Sequence, residues 1–293
     1  MAMKHAYLIM AHDHPDELRR LIEALDDPAH DIFVHIDIRA GMEPESFKDA
    51  VAFSSLFFVD RKKVVWGGSS QIETELRLLR GAQRHGDYGY YHLLSGLDYT
   101  TQSNEYKKKY FERYNGLNFI TIVAPQKRHK MRYDQYHWLH ERFVGKQYNL
   151  WKYIDFGLCY MQEMVGVHRF GGRFIPRHIN WFSLHREFVE YLINHYNQII
   201  KEYRWTYCSD EIFLADYLQR AGLWNTLAPQ GSLRFIEWEW KDKHDSSPRI
   251  LTLSDYDALV QPDILFARKF ELPYSGALYA ELDRHNEQIS RRY

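Results

Sequence analysis

Ala6-Tyr7-Leu8-Ile9-Met10-Ala11 is an unbroken apolar run of six residues, and Asp13-His14-Pro15 ends it. Its shortness and lack of alternation suit a strand buried on both faces. Pro15 fits a first helical turn. Leu18, Leu21, Ile22 and Leu25 then recur at the spacing of an amphipathic helix. Ile32-Phe33-Val34-His35-Ile36 reads as a second strand ending at Asp37, and Leu56-Phe57-Phe58-Val59 as a third. Ser70-Gln71-Ile72-Glu73 has the form of a capping box, with Ile72, Leu76 and Leu79 as the apolar stripe of the helix it opens. Tyr90-Tyr91-His92-Leu93-Leu94 reads as a fourth strand, stopped by Ser95-Gly96, and residues 119–123 as a fifth. This order predicts an α/β fold with a central, mostly parallel sheet flanked by helices. Ligands in such sheets sit beyond the carboxyl ends of the strands, where His12, Asp37 and Ser95 to Asp98 fall. No glycine-rich dinucleotide or P-loop signature follows the first strand, which argues against an ordinary NAD or ATP fold.

The pattern weakens over residues 126–170, where cations and aromatics mix: Lys127, Arg128, His129, Lys130, Arg132, Tyr133, Tyr136 and Trp138. Gly171-Gly172 marks a turn, residues 179–184 read as a strand, and residues 187–196 as a helix. No repeat or low-complexity linker interrupts the chain, so residues 1–293 are expected to form one domain. Its parts would be a nucleotide-binding half (about 1–125), an acceptor and catalytic half (about 126–271) and a helical tail (272–293).

A hydrophobic share of 45% fits a sizeable core, and a net charge of −1 gives no global drive toward nucleic acid. Cys159 and Cys208 match no metal or redox motif and read as reduced thiols. The pairs His12/His14 and His137/His140 lack a third ligand at motif spacing, so no metal site is expected. The apolar stretches fall short of the ~18 residues a spanning helix needs. These features together predict a cytoplasmic protein.

Cys208-Ser209-Asp210-Glu211 precedes the apolar-periodic run 212–218. Ser209 can cap a helix there, and Asp210 and Glu211 then sit where the helix dipole favours negative charge. Two acids at a helix start have this ordinary explanation, and equally suit a carboxylate base.

Seven pieces, in order, carry a resemblance. They are residues 7–12, 34–37, 65–69 (Val65-Trp66-Gly67-Gly68-Ser69), 94–99, 181–184 (Trp181-Phe182-Ser183-Leu184), 209–211 and 266–270 (Phe266-Ala267-Arg268-Lys269-Phe270). Together they resemble the core-2/I-branching β-1,6-N-acetylglucosaminyltransferases, glycosyltransferase family 14, which include peptide xylosyltransferases. The resemblance implies a GT-A-like fold and an inverting transfer from a UDP-sugar, with Glu211 as the base and Asp210 as its structural neighbour. It implies no metal or other cofactor: Arg249 and Lys269 match the cations that bind the diphosphate. Asp255-Tyr256-Asp257 has metal-motif spacing but reads as a turn or helix start. Asp37 matches a position near the donor nucleoside, Trp66 and His12 lie where they could meet it, and Ser95, Asp98 and Trp181 belong to matching pieces around the substrates. The stretch Phe235-Ile236-Glu237-Trp238-Glu239-Trp240 resembles an aromatic acceptor wall, with Trp238 as the stacking residue, although alternation equally makes it one face of a strand.

The chain has Phe119-Ile120-Thr121 where the family often carries an acceptor-binding Glu, so the resemblance does not specify the acceptor. A bacterial-type enzyme of surface polysaccharide synthesis is the expectation, acting on a saccharide or lipid-linked saccharide. A non-catalytic sugar- or nucleotide-binding protein and a sugar nucleotidyltransferase are the alternatives. Tyr106-Lys107-Lys108-Lys109-Tyr110-Phe111 and the cluster 127–138 suit an anionic headgroup layer, giving weak peripheral association at the inner membrane face. The alternative is a soluble protein whose basic residues face water.

Overall fold

A computed structural model describes residues 3–124, 126–146, 149–239 and 247–291. Among these lie nine strands: β1 (His5–Ala11), β2 (His30–Ile36), β3 (Ser55–Phe58), β4 (Tyr90–Ser95), β5 (Asp98–Thr100), β6 (Phe119–Val123), β7 (Arg177–His185), β8 (Arg234–Ile236) and β9 (Phe266–Arg268). The main sheet runs β3-β2-β1-β4-β7-β6, and a small one runs β5-β9-β8. β3, β2, β1 and β4 are mutually parallel, whereas β7 runs antiparallel to both β4 and β6. The expected α/β class and mostly parallel sheet are therefore present.

β1 is central because it is apolar on both sides. Ala6 and Leu8 join the core on one face, and Tyr7, Ile9 and Ala11 that on the other. The first face is covered by α2 (Ser69–His85), and by α6 (Arg186–Asn194), α7 (Tyr196–Tyr203) and α8 (Phe213–Arg220). The second is covered by α1 (Pro15–Ala24) and α3 (Asn104–Arg113). Two further helices, α4 (Lys127–Asp134) and α5 (Leu150–Met164), occupy the segment whose pattern was weak. A C-terminal helix, Gly276–Ser290, lies over the small sheet, where Tyr99 Oη donates to Asp283 at 2.6 Å.

Several local expectations need correction. Ser70 does not cap α2: the helix starts at Ser69 after Gly68, and the Ser70 hydroxyl accepts from the Val65 amide at 2.8 Å. Glu73 pairs instead with Lys62 and Arg77. Ser209 does not cap α8. Ser209–Glu211 forms its own 3₁₀ turn, and the Ser209 hydroxyl accepts from Thr206 Oγ1 at 2.6 Å. The stretch 106–111 is not a basic surface. Lys107, Tyr110 and Phe111 point into the core, where Lys107 Nζ donates to Thr100 Oγ1 at 2.7 Å and burial pulls its pKa down to about 7. β8 ends at Ile236, so Trp238 is no strand residue, and Trp240 lies outside the described residues.

Candidate active site

The carboxyl ends of β1, β2 and β4 open into a cavity of about 650 Å³. Nine of the sequence candidates line it: His12, Asp37, Trp66, Ser95, Trp181, Asp210, Glu211, Trp238 and Lys269. Asp98 and Arg249 do not.

Asp37 follows β2 and turns back on the chain. Both its oxygens accept from the Arg39 side chain, at 2.9 and 2.8 Å, and from the Arg39 and Val64 amides at 2.9 Å each. Burial opposes its ionisation, but these four donors prevail and hold the carboxyl down to about 2. Asp37 thereby pins residues 62–66 against the strand end, with Trp66 at the cavity wall. Gly67 then adopts φ +68°, and the Cys208 amide donates to its carbonyl at 2.7 Å. A Cβ at Gly67 would sit 2.9 Å from Cys208 Sγ, so only glycine admits the acidic turn this closely.

The two acids of that turn meet unlike surroundings. Glu211 reaches the cavity, and its Oε2 accepts from Arg132 at 2.9 Å and from Arg177 at 3.4 Å. Asp210 is buried. One of its oxygens accepts from Gln71 Nε2 at 3.3 Å, and the other has no partner among the described residues. Burial, with the neighbouring Glu211 charge, pushes Asp210 up to about 7. Beneath it, burial and Asp210 push the fully enclosed Glu75 well above the usual carboxylate range. One carboxylate is thus held among cations while two others resist ionisation, an arrangement that separates acid and base roles.

Across the cavity, Arg268 and Lys269 leave β9 side by side. Arg268 donates to Asp98 Oδ1 at 2.8 Å and to the Ser95 hydroxyl, and its guanidinium lies 4.9 Å above the Trp181 ring. Asp98 is the buried anchor of this group: it accepts from the Ser95 hydroxyl and amide at 2.6 and 3.0 Å. Lys269 pairs with Glu271. Arg249 faces elsewhere. Its guanidinium is held by Asp255 at 2.9 and 2.6 Å and by Glu237, which raise its pKa. Asp255 also closes a capping box with Thr252, the helix-start role expected of it.

A match to the Core-2/I-Branching enzyme family model extends over residues 5–260. The chain belongs to this family. Among its relatives, rat xylosyltransferase 1 is 23% identical over 96% of this chain and 35% of its own length. The Ciona intestinalis xylosyltransferase is 24% identical over 94% of this chain and 33% of its own. Human xylosyltransferase 2 is 25% identical over 96% and 33%. The chain therefore spans about a third of the length of these relatives. Mouse xyloside xylosyltransferase 1 superposes over 90% of the chain at 10% identity with a TM-score of 0.38, too distant to carry an argument.

Three site residues of this family member escaped the sequence reading. Arg268 had a usable signal, since it precedes Lys269 on a strand that ends at the cavity. Arg132 and Arg177 had none, because they lie 79 and 34 residues from Glu211 and only folding joins them. His137, Asp155 and Cys159 form the one group of three potential metal ligands among the described residues. His137 Nδ1 lies 2.6 Å from Asp155 Oδ2, and Nε2 lies 2.9 Å from the Met131 carbonyl. Cys159 Sγ lies 3.5 Å from His137 Nδ1, so the three side chains are within hydrogen-bonding reach of one another.

Proposed function

We propose that this family member transfers a sugar from a UDP-sugar to a saccharide hydroxyl, with inversion and without a metal ion, in surface polysaccharide synthesis. The observation that carries the reading is one cavity lined by Glu211 and by Arg268 and Lys269. Glu211 takes the proton of the acceptor hydroxyl, whose oxygen attacks the anomeric carbon as the bond to the β-phosphate oxygen breaks. UDP leaves with that electron pair, and Arg268 and Lys269 lower the cost of the charge it carries. Arg132 and Arg177 hold Glu211 in place at the cavity, and Asp210 holds the turn. Arg268 replaces Arg249 in the diphosphate clamp, because Arg268 lines the cavity beside Lys269 and Arg249 does not. Asp37 and Trp66 form the wall for the nucleoside, and Trp181, with Arg268 over its ring, and Trp238 are the aromatic side chains at the cavity for a sugar.

The relatives bear the name xylosyltransferase, so UDP-xylose is the first donor to try, with UDP-N-acetylglucosamine second. UDP release in EDTA, with and without saccharide acceptors, tests the reading. Glu211→Gln is expected to lower turnover by about 10²–10⁴-fold with UDP affinity kept. Unchanged turnover in that variant would exclude Glu211 as the base, and strict Mn²⁺ dependence would exclude the metal-free clamp.

A further inference from the structure

Helix α5 is built inside out. Its buried residues are Lys152, Asp155, Cys159 and Gln162, so the stripe it turns inward is polar. Asp155 accepts from His137 and from the Leu139 amide, and Gln162 accepts from the Tyr136 amide and donates to its carbonyl. The outward half is apolar. At 100° per residue, the arc centred on Leu150 and Met161 also holds Tyr153, Ile154, Tyr160 and Met164, while the one exposed acid, Glu163, falls outside it. Leu150 and Met164 are 71% and 65% exposed. Exposed Phe143 extends the patch by stacking on Trp151 at 5.0 Å, and Trp138 and Phe174 are exposed in the neighbouring segments. A contiguous apolar face of about 22 Å, the length of fifteen helical residues, marks an interaction surface rather than scattered exposure.

Charge identifies what this surface meets. Among the described residues of 126–174, the exposed charged side chains are the four cations Lys127, Arg142, Lys146 and Arg173 and the single acid Glu163, in a chain of net charge −1. Lys127, Arg142, Lys146 and Arg173 of this segment are exposed, with Arg142 and Lys146 at the cavity on either side of Phe143 and Arg173 paired with Asp216. An apolar helix face with Trp and Tyr, beside exposed cationic side chains, is the composition of a helix lying in the interface of an anionic bilayer. No described helix is long and apolar enough to cross one.

We propose that α5 docks this protein on an anionic lipid surface by its outward apolar face. Phe143 touches that face and also lines the cavity, so docking brings the cavity mouth to the level of the headgroups. Binding requires no turnover, so its test stands apart from the transferase reading.

The test is co-sedimentation with vesicles of phosphatidylglycerol and phosphatidylcholine, and with phosphatidylcholine alone, at low and high salt. The expected result is binding to the anionic vesicles that weakens with salt. The triple variant Ile154→Asp/Met161→Asp/Met164→Asp should partition at least about tenfold more weakly, while Ile154→Leu/Met161→Leu/Met164→Leu keeps binding. All three side chains face water, so circular dichroism of both variants should match the parent. Protein that stays in the supernatant at low salt overturns the proposal, as does equal binding by the Asp variant. A concentration-dependent dimer that the Asp variant abolishes also overturns it, and assigns the face to a second copy of the chain.

Discussion

α2, which lines the cavity through Gln71, and α5, which packs on the stretch around Tyr136 and Leu139, turn opposite faces inward. α2 buries Ile72, Leu76, Leu79 and Ala82 against the apolar face of the main sheet. α5 buries a lysine, an aspartate, a cysteine and a glutamine against residues 131–139, an irregular stretch whose amides and carbonyls need partners. Amphipathicity therefore says that a helix has two faces, and the surface it meets decides which one is interior. A regular sheet satisfies its own backbone and asks for apolar contact. Irregular backbone asks for hydrogen bonds.

Substitutions on the two helices can break or sharpen this contrast. The largest effect is expected from Asp155→Ala, which leaves both His137 and the Leu139 amide without their partner in a buried site and should cost about 1–3 kcal/mol for each of them. Denaturant unfolding measures it, and a loss under about 1 kcal/mol would mean the polar stripe is not structural. Leu76→Ala, the apolar counterpart on α2, should cost about 2–4 kcal/mol through lost transfer energy and the cavity left behind.

Asp210, which α2 touches through Gln71, should respond with the opposite sign. Its carboxyl binds a proton more tightly folded than unfolded, so its ionisation destabilises the fold increasingly as pH rises from about 4 to about 7. Asp210→Asn removes that penalty and should raise stability by about 1–2 kcal/mol at pH 8, with a smaller gain at pH 5. Melting curves at the two pH values check this, and an equal gain at both would contradict the burial account. The smallest effect is expected from Met161→Ala on the outward face of α5. Without lipid it should shift stability by no more than about 0.5 kcal/mol, and a larger loss would show that the face is covered within the protein.

Much of the fold was legible before any coordinates. The strands over residues 6–11, 32–36, 90–94 and 119–123 lie where the apolar runs predicted, because a strand buried on both faces has few other compositions. The carboxyl ends of those strands pointed to His12, Asp37 and Ser95, and all three line the cavity. Where the reading failed, a local pattern met a competing partner. Ser70 and Ser209 have the residue type of helix caps, yet their hydroxyls are taken by the Val65 amide and by Thr206. Lys107 sits in a run of three lysines that looks like surface, yet one side of that helix faces the core.

The sequence by itself determined the α/β class, the strand ends that form the cavity floor, and the acidic pair at residues 210 and 211, since each rests on local periodicity or on neighbouring residues. Tertiary structure alone decided that Arg249 turns away from the cavity to Asp255 and Glu237, that Arg132 and Arg177 converge on Glu211, and that α5 turns its apolar face to solvent. Each of these depends on which distant group reaches a charge or a backbone polar group first. That contest is settled by packing across tens of residues, and no short stretch of sequence records it.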